Sequence, residues 1–455
     1  MRYTPPDLLK VDQRIAEAKR LILSAVADQQ KNLTSIRPPD PELSAYYQDA
    51  LKTFAKCRGT ELWYPYVGSG IGKGAFVKLL DGSVKYDFIT GIGVHHFGHS
   101  HPELIAAAVD GALSDLVMQG NLQQNSDSLE LMELLLEESK LDHCFLTTSG
   151  TMANENGFKI AFQKNAPASR ILAFEKCFAG RTLAMSQVTD KAAIREGLPL
   201  TFGVDYIPFF NPHEPEKSTK HAVEILKNYL YRYPKQYAAM IFEMVQGEGG
   251  FYPGNKEFFR TLMQILKDSS IAIIVDEVQT FGRTSKLFAF HHFEIEDLVD
   301  IVTIGKLSQV CATLWKAEYN PRPGMLSQTF TSSSTAIQVA KKMIHLMRKE
   351  NFFGPEGKNM LVNQYFSQNL SEISKQHPHL IRGPYGLGAM IAFTPLDGEM
   401  KRVIQFGYNL FHTGVLSFIA GKDPTRIRLL IPVGVVTHED INTVTKIIEE
   451  TLLTA

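Results

Sequence analysis

Apolar and polar positions fall into two alternating patterns through the middle of this chain. Short apolar runs at Cys144–Thr148, Ile171–Glu175, the start of Tyr237–Gly254, Ile271–Val275 and Asp300–Ile304 read as strands. Ile271–Val275 is continuously apolar, the mark of a strand buried on both faces, and Asp276-Glu277 follows it at once. Between the runs lie stretches with helical spacing: an amphipathic segment that Ser126 is expected to cap, one from Ser149 through Phe162, one over 217–231 and one over 256–267. Strands alternating with helices over this span predict an α/β fold with a mostly parallel, doubly wound sheet.

The flanks read differently. Residues 7–31 look helical and polar-rich, and the prolines of Arg37–Glu42 break the chain. The glycine-rich run Gly68–Gly74 has no Ser or Thr after Gly72-Lys73 and leads into a strand, so the start of a β-meander, turning at Asp81-Gly82, is the better reading than a phosphate loop. Beyond Lys306, a hydroxyl-rich turn at Thr329–Thr335 feeds a long helix. From about Asn351 a smaller α+β pattern follows: a helix over 358–376, strands within 382–395, a helix over 398–413, a strand at Arg426–Pro432 and a last helix from His438.

Bulk properties narrow the classes. With 455 residues the chain exceeds one ordinary domain, and two are expected. A net charge of −1 offers no basic excess for nucleic acid. No apolar run approaches membrane-spanning length, and the first twenty residues lack the apolar core of a leader, so a cytoplasmic location is expected. The four cysteines are scattered without a CxxC pair, which suits free thiols in a reducing compartment.

Candidate chemistry gathers at strand ends, where open α/β sheets bind ligands. One strand tip offers the Asp276 carboxylate, and another, one crossover later, offers the Lys306 amine after Gly305. An acid and a lysine are what pyridoxal 5'-phosphate (PLP) requires: the amine bonds its aldehyde, and the carboxylate keeps its pyridine nitrogen protonated. Both residues are common at such positions in any α/β protein, so the pair needs support from its surroundings. Ser149-Gly150-Thr151 stands between a strand and a helix, where free backbone N–H groups and two hydroxyls suit an anion, although a plain helix cap would look the same. Phe178 follows the Ile171–Glu175 strand and could stack on a planar ring, with Arg181 just beyond. Glu243, Gln246 and Glu248 end the Tyr237 segment. His95, His96, His99 and His101 crowd one stretch, but no cysteine or carboxylate is spaced with them and Pro102 opens a helix, so a packed loop is expected and no metal.

Taken in order, GHSHPE, TSGTMANE, FAGRT, EMVQGEGG, DEVQTFGR, GK, TFT and RIRLLIP resemble the class III (ornithine/ω-amino-acid) aminotransferases, PLP enzymes of fold type I. The Gln309-Val310-Cys311 run is similar to the lysine 6-aminotransferase branch. The resemblance implies a large domain over 76–345 with a seven-stranded, mostly parallel sheet sandwiched by helices. It also implies a small α+β domain over 346–455, joined by the N-terminal segment 1–75. It makes Lys306 the Schiff-base lysine and Asp276 the partner of the pyridinium nitrogen. Gln279 would reach the phenolic oxygen, Ser149, Gly150 and Thr151 the phosphate, and Phe178 the ring face. Thr331 would add a phosphate contact across a homodimer interface. Arg181 would hold a substrate carboxylate and Arg428 the α-carboxylate. Glu248 would neutralise Arg428 when that carboxylate is absent, and Glu243 would line the same pocket. The implied reaction moves a terminal amino group of lysine, ornithine or acetylornithine to a 2-oxo acid, 2-oxoglutarate, by ping-pong transamination. The same residues also suit an aminomutase, racemase or decarboxylase, or a degenerate fold that only binds. Ser332-Ser333-Ser334 and Ala179 depart from the family pattern and leave the donor open; Phe54, Tyr66 and Gln119 to Gln124 are candidates to shape its pocket.

Overall fold

A computed structural model describes residues 8–114 and 120–454, so Gln119 lies outside the described residues. Its centre is a seven-stranded sheet in the spatial order His143–Thr147, Cys311–Trp315, Ile301–Ile304, Ala272–Glu277, Tyr237–Phe242, Arg170–Phe174 and Gly203–Ile207. The pairings from Ile301–Ile304 across to Gly203–Ile207 are all parallel. Both pairings made by Cys311–Trp315 are antiparallel.

The continuous apolar runs are explained by two cores, one on each face of this sheet. Ile273 and Val275 enter one, and Ala272 and Ile274 enter the other, as the two-residue period of a strand dictates. Helices cover both faces. Lys256–Asp268 buries Phe258, Phe259, Leu262, Met263 and Leu266, a single helical stripe. Gly150–Lys164 lies on the opposite core, where Gly157 faces Ile301 and Ile274 closely enough that an added Cβ would sit 3.5 Å from Ile301.

The flanking sheets follow the expected order. Gly68–Lys73, Phe76–Leu79 and Val84–Asp87 form the antiparallel meander, turning at Asp81 and Gly82. Val415–Leu416 joins it in parallel, tying the N-terminal part to the C-terminal part. The C-terminal sheet runs Ile381–Leu387, Met390–Pro395, Arg426–Leu430, Phe418–Ala420, all antiparallel. Among the described residues, no helix is long and apolar enough to cross a membrane.

Three expectations need correction. The helix at Ser126–Ser139 is capped by Asn125, not Ser126; the Asn125 side chain accepts from Ser128 N–H, and Ser128 returns the bond. The first helix breaks at Asp12, whose carboxylate caps a new helix over Gln13–Gln30. The strands Gly203–Ile207 and Cys311–Trp315 went unread: Asp205 interrupts the apolar pattern of the first, and the second returns from the left-handed turn at Lys306 and Gln309.

Candidate active site

The strand Ala272–Glu277 ends with two acids that have separate fates. Glu277 is fully buried and accepts from Ala289 N–H at 2.7 Å and Phe290 N–H at 2.9 Å, so it pins the following loop. Asp276 faces the other way, accepting from Val278 N–H at 2.9 Å and from Asn154 Nδ2 at 2.8 Å. Asn154 is itself fixed: it donates to the Ala179 carbonyl at 2.9 Å, and its oxygen accepts from the Thr303 hydroxyl at 2.7 Å. Burial pushes the Asp276 carboxyl up, while Asn154, Val278 and the Lys306 charge oppose that rise.

Lys306 follows the neighbouring strand Ile301–Ile304 and opens a tight 3-10 turn over Lys306–Ser308. Its φ is 53° and that of Gln309 is 60°, both left-handed. This strained reversal sends the chain back as the antiparallel strand Cys311–Trp315 and leaves Lys306 at the sheet's carboxyl edge. Burial, and then the Arg428 charge, lower the Lys306 amine to about 8 against the pull of Glu248, Glu243 and Asp276.

Lys306 and Asp276 line one cavity of about 210 Å³ with Ser149, Gly150, Thr151 and Asn154 on one side and Phe178, Glu243 and Gln279 on the others. Ser149 caps the helix Gly150–Lys164, accepting from Met152 N–H at 3.2 Å. The chain approaches tightly here: a Cβ on Gly180, whose φ is 132°, would fall 2.2 Å from Thr151 Oγ1, and one on Gly150 would fall 2.6 Å from Val278. Glu243 accepts from Phe178 N–H at 3.0 Å and Gly247 N–H at 2.9 Å, and burial with the Asp276 charge pushes its carboxyl up to about 8.

Several expected residues stand outside this cavity. Arg428 is fully buried on its strand and donates from Nη2 to Glu248, while its Nε and Nη1 have no partner. The other Glu248 oxygen lies 3.6 Å from Lys191 Nζ. Burial disfavours the Glu248 charge, but Arg428 and Lys191 outweigh it and hold the carboxyl below its ordinary value. Arg181 is exposed, its guanidinium 5.7 Å from the Phe178 ring centre. Thr331 is buried, 3% exposed, next to Phe330 at 59%. The histidines are a packed loop: His96 is fully buried, His99 pairs with Asp87 at 2.8 Å, and Gln309 donates to the Val94 carbonyl at 3.2 Å. Among the described residues, no group of metal-ligating side chains is present.

Asn154 and Lys191 were not singled out from the sequence. Asn154 carried a signal, since it stands one helical turn after Gly150 and so shares its face. Lys191 carried none, being brought to Glu248 only by the fold.

A family model for class-III aminotransferases matches residues 67–452. An acetylornithine aminotransferase from Bacillus cereus is 32% identical over 393 residues, covering 84% of this chain and 94% of that one. Among solved structures, a lysine aminotransferase from M. tuberculosis aligns with a TM-score of 0.80 at 20% identity, covering 89% of this chain and 99% of that one. An ornithine aminotransferase from Toxoplasma gondii ME49 aligns with a TM-score of 0.77 at 23% identity, covering 90% and 97%. The chain belongs to the class III aminotransferases.

Enzymes of this class use PLP, and the cavity fits it. An anion cradle at a helix start, an acid at one strand end and an amine at the next match the phosphate, the ring nitrogen and the aldehyde of that molecule. The Gln279 Oε1 atom is buried without a partner, a vacancy in its bonding that a ring substituent would fill.

Proposed function

We propose that this aminotransferase moves the terminal amino group of a diamino or ω-amino acid, such as lysine, ornithine or acetylornithine, to 2-oxoglutarate in two half-reactions. The observation that carries the reading is the buried Arg428: one donor rests on Glu248, and two have no partner. A substrate end without an α-carboxylate meets a neutralised Arg428–Glu248 pair. An α-carboxylate takes the Arg428 fork, and Glu248 moves aside. Lys191 is placed to keep the displaced Glu248 carboxylate compensated.

When bound, PLP supplies an aldehyde that receives the amino group and a ring that draws electrons from the breaking C–H bond. The residues around it have separable tasks. Asp276, braced by Asn154, keeps a proton on the ring nitrogen. Lys306, with its amine lowered to about 8, takes a proton at Nζ from one carbon and returns it to the other. Ser149, Gly150 and Thr151 would hold its phosphate, Gln279 its phenolic oxygen and Phe178 its ring, with the Phe178 backbone fixed by Glu243. Arg181 binds a carboxylate at the entrance. Thr331 is proposed to serve the phosphate of a partner subunit in a homodimer.

The test is initial-velocity kinetics of PLP-loaded protein with lysine, ornithine, acetylornithine or 4-aminobutyrate against 2-oxoglutarate. Glutamate formation with parallel double-reciprocal lines is expected. Turnover of any of these donors without an oxo acid would mean an aminomutase, racemase or decarboxylase instead, and intersecting lines would rule out the two-step exchange.

A further inference from the structure

A second cavity, of about 540 Å³, shares no lining residue with the first. Its walls come from the segments that follow the strands Arg170–Phe174, Gly203–Ile207 and Tyr237–Phe242, and from the C-terminal sheet. They are dominated by flat groups, including Phe209, Phe210, Tyr252, Pro384 and Tyr385. Glu175 is the one acid among the lining residues, against Lys176 and Arg426.

Arg426 is the unusual member. It is 4% exposed, and its guanidinium lies between two rings, 4.0 Å from the Tyr252 centre and 3.5 Å from that of Tyr385. Its Nη1 donates to the Gly250 carbonyl at 2.5 Å, and its Nε has no partner. Among the described residues, no carboxylate forms an ion pair with it. A guanidinium withdrawn from water, unpaired with any acid and only partly hydrogen-bonded, is costly to keep unless something completes it. Two tyrosine faces compensate part of the charge but leave the in-plane Nε donor unserved.

We propose that this cavity is a second binding site, for a small aromatic carboxylate. The ring stacks among Phe209, Tyr252 and Tyr385, and the carboxylate meets the Arg426 edge, with Lys176 adding positive charge. The site adjoins the Glu248–Arg428 pair. Arg426 and Arg428 stand two apart on one strand and so share a face, and Arg426 holds the carbonyl of Gly250 in the turn that carries Glu248. The site stands whatever reaction the first cavity performs.

Benzoate is the probe, titrated calorimetrically into PLP-loaded protein, with benzamide and cyclohexanecarboxylate as comparators. Saturable binding of benzoate is expected, weakened tenfold or more by Arg426→Gln and within twofold of wild type in Arg428→Gln. Benzamide, lacking the charge, and cyclohexanecarboxylate, lacking the flat ring, are expected to bind at least tenfold more weakly. Binding lost in Arg428→Gln but kept in Arg426→Gln would assign the probe to the first cavity and overturn the proposal, as would no saturable binding. Because Arg426→Gln removes a buried contact, a crystal of wild-type protein soaked in 4-iodobenzoate gives an independent reading. Anomalous signal beside Tyr252 and Tyr385 supports the site, and signal only elsewhere refutes it.

Discussion

Asn154 is a positioning residue with every side-chain hydrogen bond committed: to Asp276, to the Ala179 carbonyl and to Thr303. Asn154→Ala strips one donor from a buried carboxylate, a loss of about 1.5–3 kcal/mol, or about 10- to 150-fold. The expected result is a fall of that size in kcat, with KM for the donor little changed and a shifted absorbance of bound PLP. A purely structural residue would lower Tm and leave the spectrum alone. Glu243 makes a second residue-scale prediction. Its folded carboxyl titrates near 8 against 4.5 in the reference state. Between those values the folded chain holds a proton that the unfolded chain has released, so this group's contribution to stability falls as pH rises from 4.5 towards 8. Thermal melts of the apoprotein from about pH 5 to about pH 9 are expected to show wild type losing Tm relative to Glu243→Gln. A constant difference would mean that Glu243 is ionised throughout. Comparison with the variant removes the parallel contribution of Glu277, which is pushed up by burial in the same direction.

Local elements were legible wherever one physical signal dominated. The run Ile271–Val275 announced a strand covered on both faces, and the stretch from Ser149 through Phe162 announced a capped helix with an anion-ready start. The antiparallel Cys311–Trp315 was hidden, because its insertion depends on the left-handed turn at Lys306 and Gln309, residues that do not advertise positive φ. Likewise the hydroxyls at Thr329–Thr335 showed a helix entry, realised as Ser333 capping Ser334–Lys349, but not where Thr331 would point. Gly180 illustrates what an element boundary contributes to the site. Gly180→Ala would force a Cβ into Thr151 Oγ1 at a φ of 132°, a strain of about 1–3 kcal/mol. PLP retention after dialysis is expected to drop about 5- to 150-fold, with the far-UV spectrum unchanged. The short segment around Lys191 carries the matching prediction for the Arg428–Glu248 pair. If the proposed exchange holds, Lys191→Met is expected to raise KM for 2-oxoglutarate several-fold while sparing the donor half-reaction, since in that scheme only the acceptor displaces Glu248, whose second oxygen already lies 3.6 Å from Lys191. Equal loss in both half-reactions would show that Lys191 merely holds the loop.

At the scale of the molecule, one chain offers the phosphate a helix start and two hydroxyls, one of which, on Ser149, already caps its own helix. A phosphate dianion can take more donors than these. The segments at 120–125 and 328–334 lie against each other: Gly120 would meet the Thr329 carbonyl at 2.4 Å if it carried a Cβ, and Asn125 donates to Ser334 Oγ at 3.4 Å. Together they present Leu122, 99% exposed, and Phe330, 59% exposed. Burying two such side chains contributes roughly 1.5–3 kcal/mol each, and a twofold interface counts every residue twice. If the proposed homodimer uses this apolar pair, its contact lies beside Thr331, and assembly and phosphate binding should fail together. Leu122→Asp combined with Phe330→Asp is expected to give a monomer by light scattering, with PLP lost on dialysis. Lys306→Ala, which leaves that surface untouched, should remain dimeric. Thr331→Val should stay dimeric yet bind PLP about tenfold more weakly, the effect of one hydrogen bond to a charged group. If the double variant stays dimeric, the interface lies on another face; if it becomes monomeric but keeps its PLP, each subunit completes its phosphate site alone and Thr331 has no role across the interface.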